Sequence, residues 1–378
     1  MTKPKQLTTQ RNLPLDVLRG MTVALMITVN NPGSWSAIYA PFMHSEWHGF
    51  TLTDLVFPTF LFVVGNALSF GWQKASSTTA QVFFKKVLKR TAIIFLIGLL
   101  LNYFPFVEFE KSGMKFKDIL ELRIWGVLQR IAVCYLLANV MLYYLNKTGL
   151  IICSMIILLG YWAILYFFGS ASDPFSLEGN FAGMLDLKLF DPQNLYSGFG
   201  IPFEPEGVLS TFPATINVIA GYAAGRFIQM GGSHKITAVK MSAAALLMLL
   251  IASAWNMAFP INKPIWSSSY ALLSIGWDLL ILACLIFFID VLKFKKWTYF
   301  FEVFGKNPLF IYIVSWVVID LLYLIPIADT TIASYVHKNF LLSWAAPKDA
   351  SLLFALSYLL LMWLTGFLMD KNRIYVKV

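Results

Sequence analysis

Charge is what this 378-residue sequence has least of. Asp, Glu, Lys and Arg make up 13% of it and apolar residues 58%, whereas a soluble domain carries roughly 25% charged residues. That balance excludes an ordinary water-soluble fold. Cysteine is scarce as well. Cys134, Cys153 and Cys284 all fall inside apolar runs, so they read as small membrane hydrophobes and not as a disulfide framework or a thiolate metal set. Met1 to Arg11 is polar and basic, and no short apolar core with a small-residue cleavage site follows it. A retained first helix is expected there in place of a cleaved signal peptide. No internal repeat, low-complexity tract or soluble domain stands out.

What is present is a series of apolar runs long enough to cross a bilayer. Ten are expected, at about 13–31, 53–71, 87–106, 123–145, 149–168, 208–229, 241–259, 267–290, 304–325 and 350–369. Each covers a hydrocarbon core of roughly 30 Å at about 1.5 Å per residue. The predicted fold is therefore all-α, a polytopic transmembrane bundle forming a single domain over 1–378, with both termini cytoplasmic. Asn12-Leu13-Pro14 offers an N-cap and an early proline for the first span, and Thr53 and Asp54 open the second.

The net charge of +9 is explained by topology. Basic residues collect at every second loop: Lys3, Lys5 and Arg11; Lys74, Lys85, Lys86, Lys89 and Arg90; Lys235 and Lys240; Lys293, Lys295, Lys296 and Lys306; Lys371, Arg373 and Lys377. The opposite loops are poorer in them, and there several lie near Glu108, Glu110, Asp118 and Glu121. This is the positive-inside bias. The charge needs no nucleic-acid partner, and the lipid bilayer is the partner it implies.

Polar groups at bilayer depth mark sites by default. Histidine is the rarest of them. The chain has four, and His44 and His48 sit together between Asn30 and Asp54, in an outer segment spanning 31–52. An imidazole that takes a proton and an amide that donates to an oxyanion are the minimal equipment for acyl transfer. His44 and Asn30 are the candidate pair, with Trp47 and His48 packed beside them. A metal site is not expected, since Pro41 and Gly49 bracket the two histidines and no third ligand is local. A serine-hydrolase elbow is absent from the sequence. Asp16 and Arg19 stand three apart on one face of the first span, where a topology anchor reads equally well. Arg130 lies inside the fourth span beside Gln129, and Asn66, Asn217, Asn256 and Asn307 add amides that could be interhelical glue. A second outer segment, 169–207, holds Asp173, Glu178, Asp186, Asp191, Glu204 and Glu206 among aromatics. That composition suits a carbohydrate or an amine, and a solvated loop would look the same.

Several ordered motifs carry a resemblance. They are Leu15-Asp16-Val17-Leu18-Arg19-Gly20, Val29-Asn30-Asn31, His44-x-x-Trp47-x-Gly49 and Thr53-Asp54-Leu55-Val56-Phe57-Pro58. Gly126-Val127-Leu128-Gln129-Arg130-Ile131, Pro205-Glu206-Gly207, Thr211-Phe212-Pro213-Ala214, Asn262-Lys263-x-x-Trp266-x-x-Ser269-Tyr270 and Gly305-Lys306-Asn307-Pro308-Leu309 follow. In that order they resemble the catalytic membrane domain of the heparan-α-glucosaminide N-acetyltransferase family, bacterial-type members included. The resemblance runs from about Leu13 to Gly366.

It implies an integral-membrane acetyltransferase, expected in a bacterial inner membrane, that moves an acetyl group from cytoplasmic acetyl-CoA to a glucosamine amine on the far side. On this mapping His44 is the catalytic histidine and Asn30 its polar partner. Trp47, His48, Asp54, Asp186, Glu206, Lys263 and Trp266 are expected toward the acceptor. Asp16, Arg19, Lys89, Arg90, Gln129, Arg130 and Asn307 are expected toward acetyl-CoA. The sequence lacks a counterpart of the lysosomal enzyme's large luminal N-terminal domain and lengthens the connection from Asn30 to His44. A short-chain or free amino sugar is therefore the expected acceptor. An amino-sugar or organic-anion permease and a glycan O-acetyltransferase stay open as alternatives, and so does a homodimeric assembly.

Overall fold

The computed structural model describes residues 12–110, 113–327 and 329–376. Lys3, Lys5, Arg11 and Lys377 of the charge pattern lie outside the described residues, as do the side chains of Glu108 and Glu110. The long helices are α1 (Leu13–Asn30), α2 (Val56–Ser76), α3 (Ala80–Tyr103), α4 (Val127–Tyr144), α5 (Lys147–Phe168), α7 (Thr211–Gln229), α8 (His234–Trp255), α9 (Ser268–Ile286), α11 (Pro308–Leu324) and α13 (Pro347–Lys371). Shorter ones are α6 (Phe181–Leu189), α10 (Thr298–Lys306) and α12 (Ile332–Tyr335). Among the described residues seven helices are long and apolar enough to cross a membrane, or eight when α10 and α11 count as one broken span. α5 and α8 are the most peripheral, with only 17% and 22% of their apolar windows buried. Their outward faces, including Ile152, Met155, Ile156, Leu246 and Leu250, are bare hydrocarbon, a surface that suits lipid.

Local signals account for several boundaries. The Asn12 side chain accepts from the Leu15 backbone N–H at 3.3 Å, and Asn146 caps α5 through Gly149 N–H at 2.8 Å. The structure departs from the prediction in several places: α4 starts at Val127 and α8 runs His234–Trp255, for example, where 123–145 and 241–259 are expected. α3 begins at Ala80, so Lys85, Lys86, Lys89 and Arg90 belong to its first turns and not to a loop. The predicted 304–325 span is two helices bent by 84°, because Pro308 has no N–H with which to continue α10. The fold is also not wholly α. Two small antiparallel hairpins are present, β1 (Val107–Glu110) with β2 (Gly113–Phe116) and β3 (Pro326–Ile327) with β4 (Thr330–Thr331).

Close helix crossings knit the bundle. A Cβ on Gly20 of α1 would sit 1.8 Å from the Phe301 carbonyl oxygen of α10. Gly65 of α2 and Gly221 of α7 would each place one 1.9 Å from the other helix's backbone. Small residues at crossings of this kind let apolar helices pack by contact alone. Buried side chains form three main clusters. One centres on α1, α10, α11 and α13, a second joins α2, α4, α5, α7 and α9, and a third joins α1, α2, α7, α8 and α9.

The chain alternates between two ends of the bundle. At one end Arg19 donates to Gly305 O at 3.3 Å, Lys306 pairs with Asp370 at 2.6 Å, and Asn307 holds Ile374 O at 2.9 Å. The described chain therefore begins and ends at that end. The other end gathers the segments 31–55, 104–110, 113–126, 169–210, 256–267, 325–327 and 329–346, and it is where the cavity opens.

Candidate active site

His44 is placed by a loop that folds back on itself. After α1 the segment from Asn31 to Leu55 is pinned from outside. Gly33 N–H donates to Ser351 O at 3.1 Å, Tyr39 OH to Asp349 Oδ1 at 2.5 Å, and Gly49 N–H to Ile261 O at 2.8 Å. Its internal tie is Asp54. This carboxylate, 1% exposed, lies 2.7 Å from His44 Nδ1 and accepts from Ser45 N–H at 3.2 Å and Thr51 N–H at 3.0 Å. Tyr270 OH holds the Asp54 carbonyl at 2.7 Å. One buried carboxylate thus closes the loop and aims the imidazole. Buried charge survives when it is paired and hydrogen-bonded in this way. Asp54 was expected to face the acceptor, but its oxygens are already engaged by His44 and the loop.

Lys263 completes the group. Its Nζ lies 3.1 Å from His44 Nδ1, 3.4 Å from Nε2 and 3.6 Å from Asp54 Oδ1. Burial pushes the amine below its ordinary range, against the opposing pull of Asp54 and Glu206. With Nδ1–H donated to Asp54, Nε2 is the imidazole lone pair left to accept a proton. Lys263 is held by a tight turn. Asn262 Oδ1 accepts from Ile265 N–H at 2.9 Å, and Trp266 takes a left-handed φ of 48°, a conformation unusual for a bulky residue. Trp266 is buried, donating from Nε1 to Asn217 Oδ1 at 3.2 Å. It anchors the turn and does not line the cavity.

A second charged group forms the facing wall. Arg123 Nε and a terminal nitrogen grip Glu204 at 2.9 and 2.6 Å, and the same terminal nitrogen reaches Glu206 at 2.6 Å. The guanidinium lies 4.8 Å from the centre of the Tyr196 ring. Burial pushes the Glu204 carboxyl upward, opposed by its hydrogen bonds to Arg123. For Glu206 burial acts in the same direction, but Arg123 and Arg130 outweigh it and hold the carboxyl below its ordinary range. Behind this wall, burial raises Asp186 to about 6, opposed by the Val208 N–H and Arg130.

These groups share a cavity of about 750 Å³, within the size range of small-molecule sites. Asn30, His44, Asp54, Glu206 and Lys263 line it, together with Arg123 and Asp320. Asn30, the last residue of α1, is exposed there and makes no side-chain hydrogen bond among the described residues. Its neighbour Asn31 instead donates back to Ile27 O at 2.7 Å.

Other expected residues sit apart from the cavity. Trp47 donates to Phe175 O at 2.8 Å and packs on Phe199 and Phe203, so it braces the loop. His48 is 3.3 Å from Asn262 Nδ2, and Asp186 accepts from Val208 N–H at 3.1 Å.

The residues expected toward acetyl-CoA are not brought together. Asp16 and Arg19 pair at 3.3 Å at the start of α1. Lys89 and Arg90 are exposed on α3, with Arg90 over Tyr135. Arg130 is fully buried against Gly207 O, Ser210 and the Trp266 ring. Gln129 is buried against Gly98. Asn307 is occupied by the backbone of Ile374 and Val376. The Asn307 amide is thus taken up by neighbouring chain, whereas only one terminal nitrogen of Arg130 is hydrogen-bonded and its Nε and other terminal nitrogen are buried without a hydrogen-bond partner among the described residues. Among the described residues no three His, Cys, Asp or Glu side chains are grouped so as to hold a metal ion.

Sequence reasoning did not single out Arg123, Trp316, Asp320 or Tyr323. Asp320 carried a usable signal, being the only charge in an otherwise apolar α11.

The fold and site together define a polytopic helical membrane protein with a histidine–carboxylate pair lining a largely apolar cavity. A family model described as heparan-α-glucosaminide N-acetyltransferase, catalytic, matches residues 11–259, and the chain belongs to that family. It is 25% identical to the heparan-α-glucosaminide N-acetyltransferases of Mus musculus and Homo sapiens, over 79% of this chain and 52% of each relative. The chain thus spans about half the length of these curated relatives.

Proposed function

We propose that the protein transfers the acetyl group of cytoplasmic acetyl-CoA to the amine of a glucosamine-type sugar at the cavity end of the bundle. The observation that carries this reading is the His44–Asp54 pair, 2.7 Å apart, sharing one cavity with the uncommitted amide of Asn30 in a chain of this family. His44 Nδ1–H donates to Asp54, which fixes the tautomer and leaves Nε2 to take a proton from the amine. The nitrogen then forms a bond to the acetyl carbon while the carbon–sulfur bond breaks, and the departing sulfur takes up a proton. Asn30 donates to the oxygen that becomes negative on the way. A positioned base of this kind contributes about 10²–10⁴ in rate, and an oxyanion donor about 10²–10³.

The sidedness is part of the proposal. The end bearing Lys85, Lys86, Lys89, Arg90, Lys293, Lys295, Lys296, Lys371 and Arg373 faces the cytoplasm by the positive-inside bias. Both termini then lie there, and the ten long helical segments each cross the membrane. The phosphates of CoA are met at that basic end, where Arg19, Lys89 and Arg90 remain the candidates. The acceptor enters from the opposite face, past Glu46 and Trp35 at the cavity mouth. A bacterial inner membrane suits this arrangement.

The test is direct. Protein reconstituted in liposomes is given radiolabelled acetyl-CoA and glucosamine, and the product is identified by mass spectrometry. N-acetylglucosamine supports the proposal. Uptake of labelled glucosamine without acetyl-CoA, and with no acetylated product, would replace the enzyme by a permease. An acetyl group found on oxygen would replace amine chemistry by hydroxyl chemistry.

A further inference from the structure

One wall of the cavity takes no part in that mechanism. α11 turns Tyr312, Ser315, Trp316, Ile319, Asp320 and Tyr323 onto it, and steps of three and four residues keep them on one helical face. Asp320 is the only charged residue of Pro308–Leu324. It makes no hydrogen bond or ion pair among the described residues, and its one basic influence is Lys117, whose ammonium is committed to Phe104 O at 3.0 Å. The other carboxylates of the cavity differ. Asp54 is engaged by His44 and its own loop, Glu206 is held by Arg123, and Glu46 stands exposed at the mouth. A lone carboxylate on an apolar helix is retained against a cost, and that cost implies a ligand.

The surroundings indicate the chemistry of the ligand. Trp316 and Tyr323, one turn to either side of Asp320, are 41% and 44% exposed. Bare aromatic rings offer an apolar platform to the C–H face of a sugar ring, and an ionised carboxylate accepts two or more hydroxyl hydrogen bonds. We infer that this face of α11 is the subsite for the acceptor's sugar ring. The pyranose lies along Trp316 and Tyr323, Asp320 accepts from its hydroxyls, and the amine is left for His44. Asp320 does not hold the amine itself, because pairing with a carboxylate would keep that nitrogen protonated and unable to attack. The inference rests on the amino-sugar reading above and makes Asp320 a specificity-determining residue. It also falls beyond residue 259, where the family match ends, so the acceptor wall lies outside the matched segment.

Two readouts separate this inference from the reading it rests on. The first is glucosamine binding to nanodisc-embedded protein without acetyl-CoA, followed by saturation-transfer NMR. The second is acetyl transfer to glucosamine and to cyclohexylamine, an amine without ring hydroxyls. Asp320→Ala is expected to raise the glucosamine KM about 10- to 100-fold, the range for losing hydrogen bonds to a charged group. The kcat, the acetyl-CoA KM and cyclohexylamine transfer are expected to stay unchanged. Asp320→Asn, which keeps an acceptor oxygen and guards against misfolding of the alanine variant, falls between. An equal loss on both amines, or no loss on glucosamine, overturns the subsite. If wild type binds glucosamine without acetylating it, only the activity fails, and the binding loss in Asp320→Ala still judges the subsite. If wild type does not bind glucosamine at all, the subsite is overturned.

Discussion

Replacing Asp54 by asparagine keeps the shape of the His44 loop and removes the charge that aims the imidazole. Asp54 accepts from His44 Nδ1 at 2.7 Å and from two backbone N–H groups. An amide can satisfy part of that set, but its NH₂ would meet donors, and turning it would press His44 toward the wrong tautomer. A full charge about 4 Å from a developing imidazolium is worth on the order of 4 kcal/mol at an effective dielectric of about 20. Lys263, 3.6 Å from Asp54, already offsets part of it. The rate is therefore expected to fall about 10²–10⁴-fold, the upper figure being that of an aspartate-to-asparagine change behind a catalytic histidine. The assay is initial-rate acetyl transfer with the variant's melting temperature measured alongside. A positioning role puts the loss in kcat and leaves the acceptor KM close to wild type. A loss confined to the acceptor KM would show that Asp54 touches the sugar, and an unchanged rate at unchanged stability would refute the orienting role.

Three further outcomes follow from the same geometry. Asn30→Ala is expected to lower kcat about 10²–10³-fold with little change in stability, since Asn30 is exposed to the cavity; a drop confined to KM would contradict an oxyanion role. Arg123→Ala leaves Glu204 and Glu206 without their shared cation and is expected to cost about 3–5 kcal/mol of stability, read as a clear fall in melting temperature at neutral pH. Asp186 carries a pH signature. Burial raises it from 3.8 to about 6, so the folded state holds the proton more tightly. Its penalty is absent below pH 4, grows as pH rises and is complete above pH 6, on the order of 3 kcal/mol at about 1.4 kcal/mol per pH unit. Melting curves of wild type and Asp186→Asn from pH 4 to 7 should therefore drift in the variant's favour as pH rises, and parallel curves would show that Asp186 is not so perturbed.

Membrane helices such as α1 and α5 were legible because their apolar runs and Asn caps are local features. The start of α3 was not, because Lys85, Lys86, Lys89 and Arg90 look like a loop although a helix can carry them into the headgroup layer. The 84° break at Asn307-Pro308 was visible as a motif, and its consequence was not. At the site, the rarity of histidine singled out His44, and Asn30 stood at a helix end. The role of Asp54 could not be read in advance, since it depends on residues 44 to 54 closing into one loop. The residues expected toward acetyl-CoA were grouped by membrane side and charge. The structure buries Arg130 against 207–210 and Gln129 against Gly98 of α3, and only the packing of α4 reveals that.

Acetyl transfer by His44→Ala tests the central claim most directly, with wild type and the variant compared at matched reconstitution and melting temperature. If His44 acts as a base, wild type should yield N-acetylglucosamine and the variant should lose about 10²–10⁴ of the rate. If His44 carries the acetyl group itself, the loss should be nearly complete and an acetylated His44 should be trappable in wild type. Wild-type-like transfer by a folded His44→Ala variant would contradict the assignment of His44.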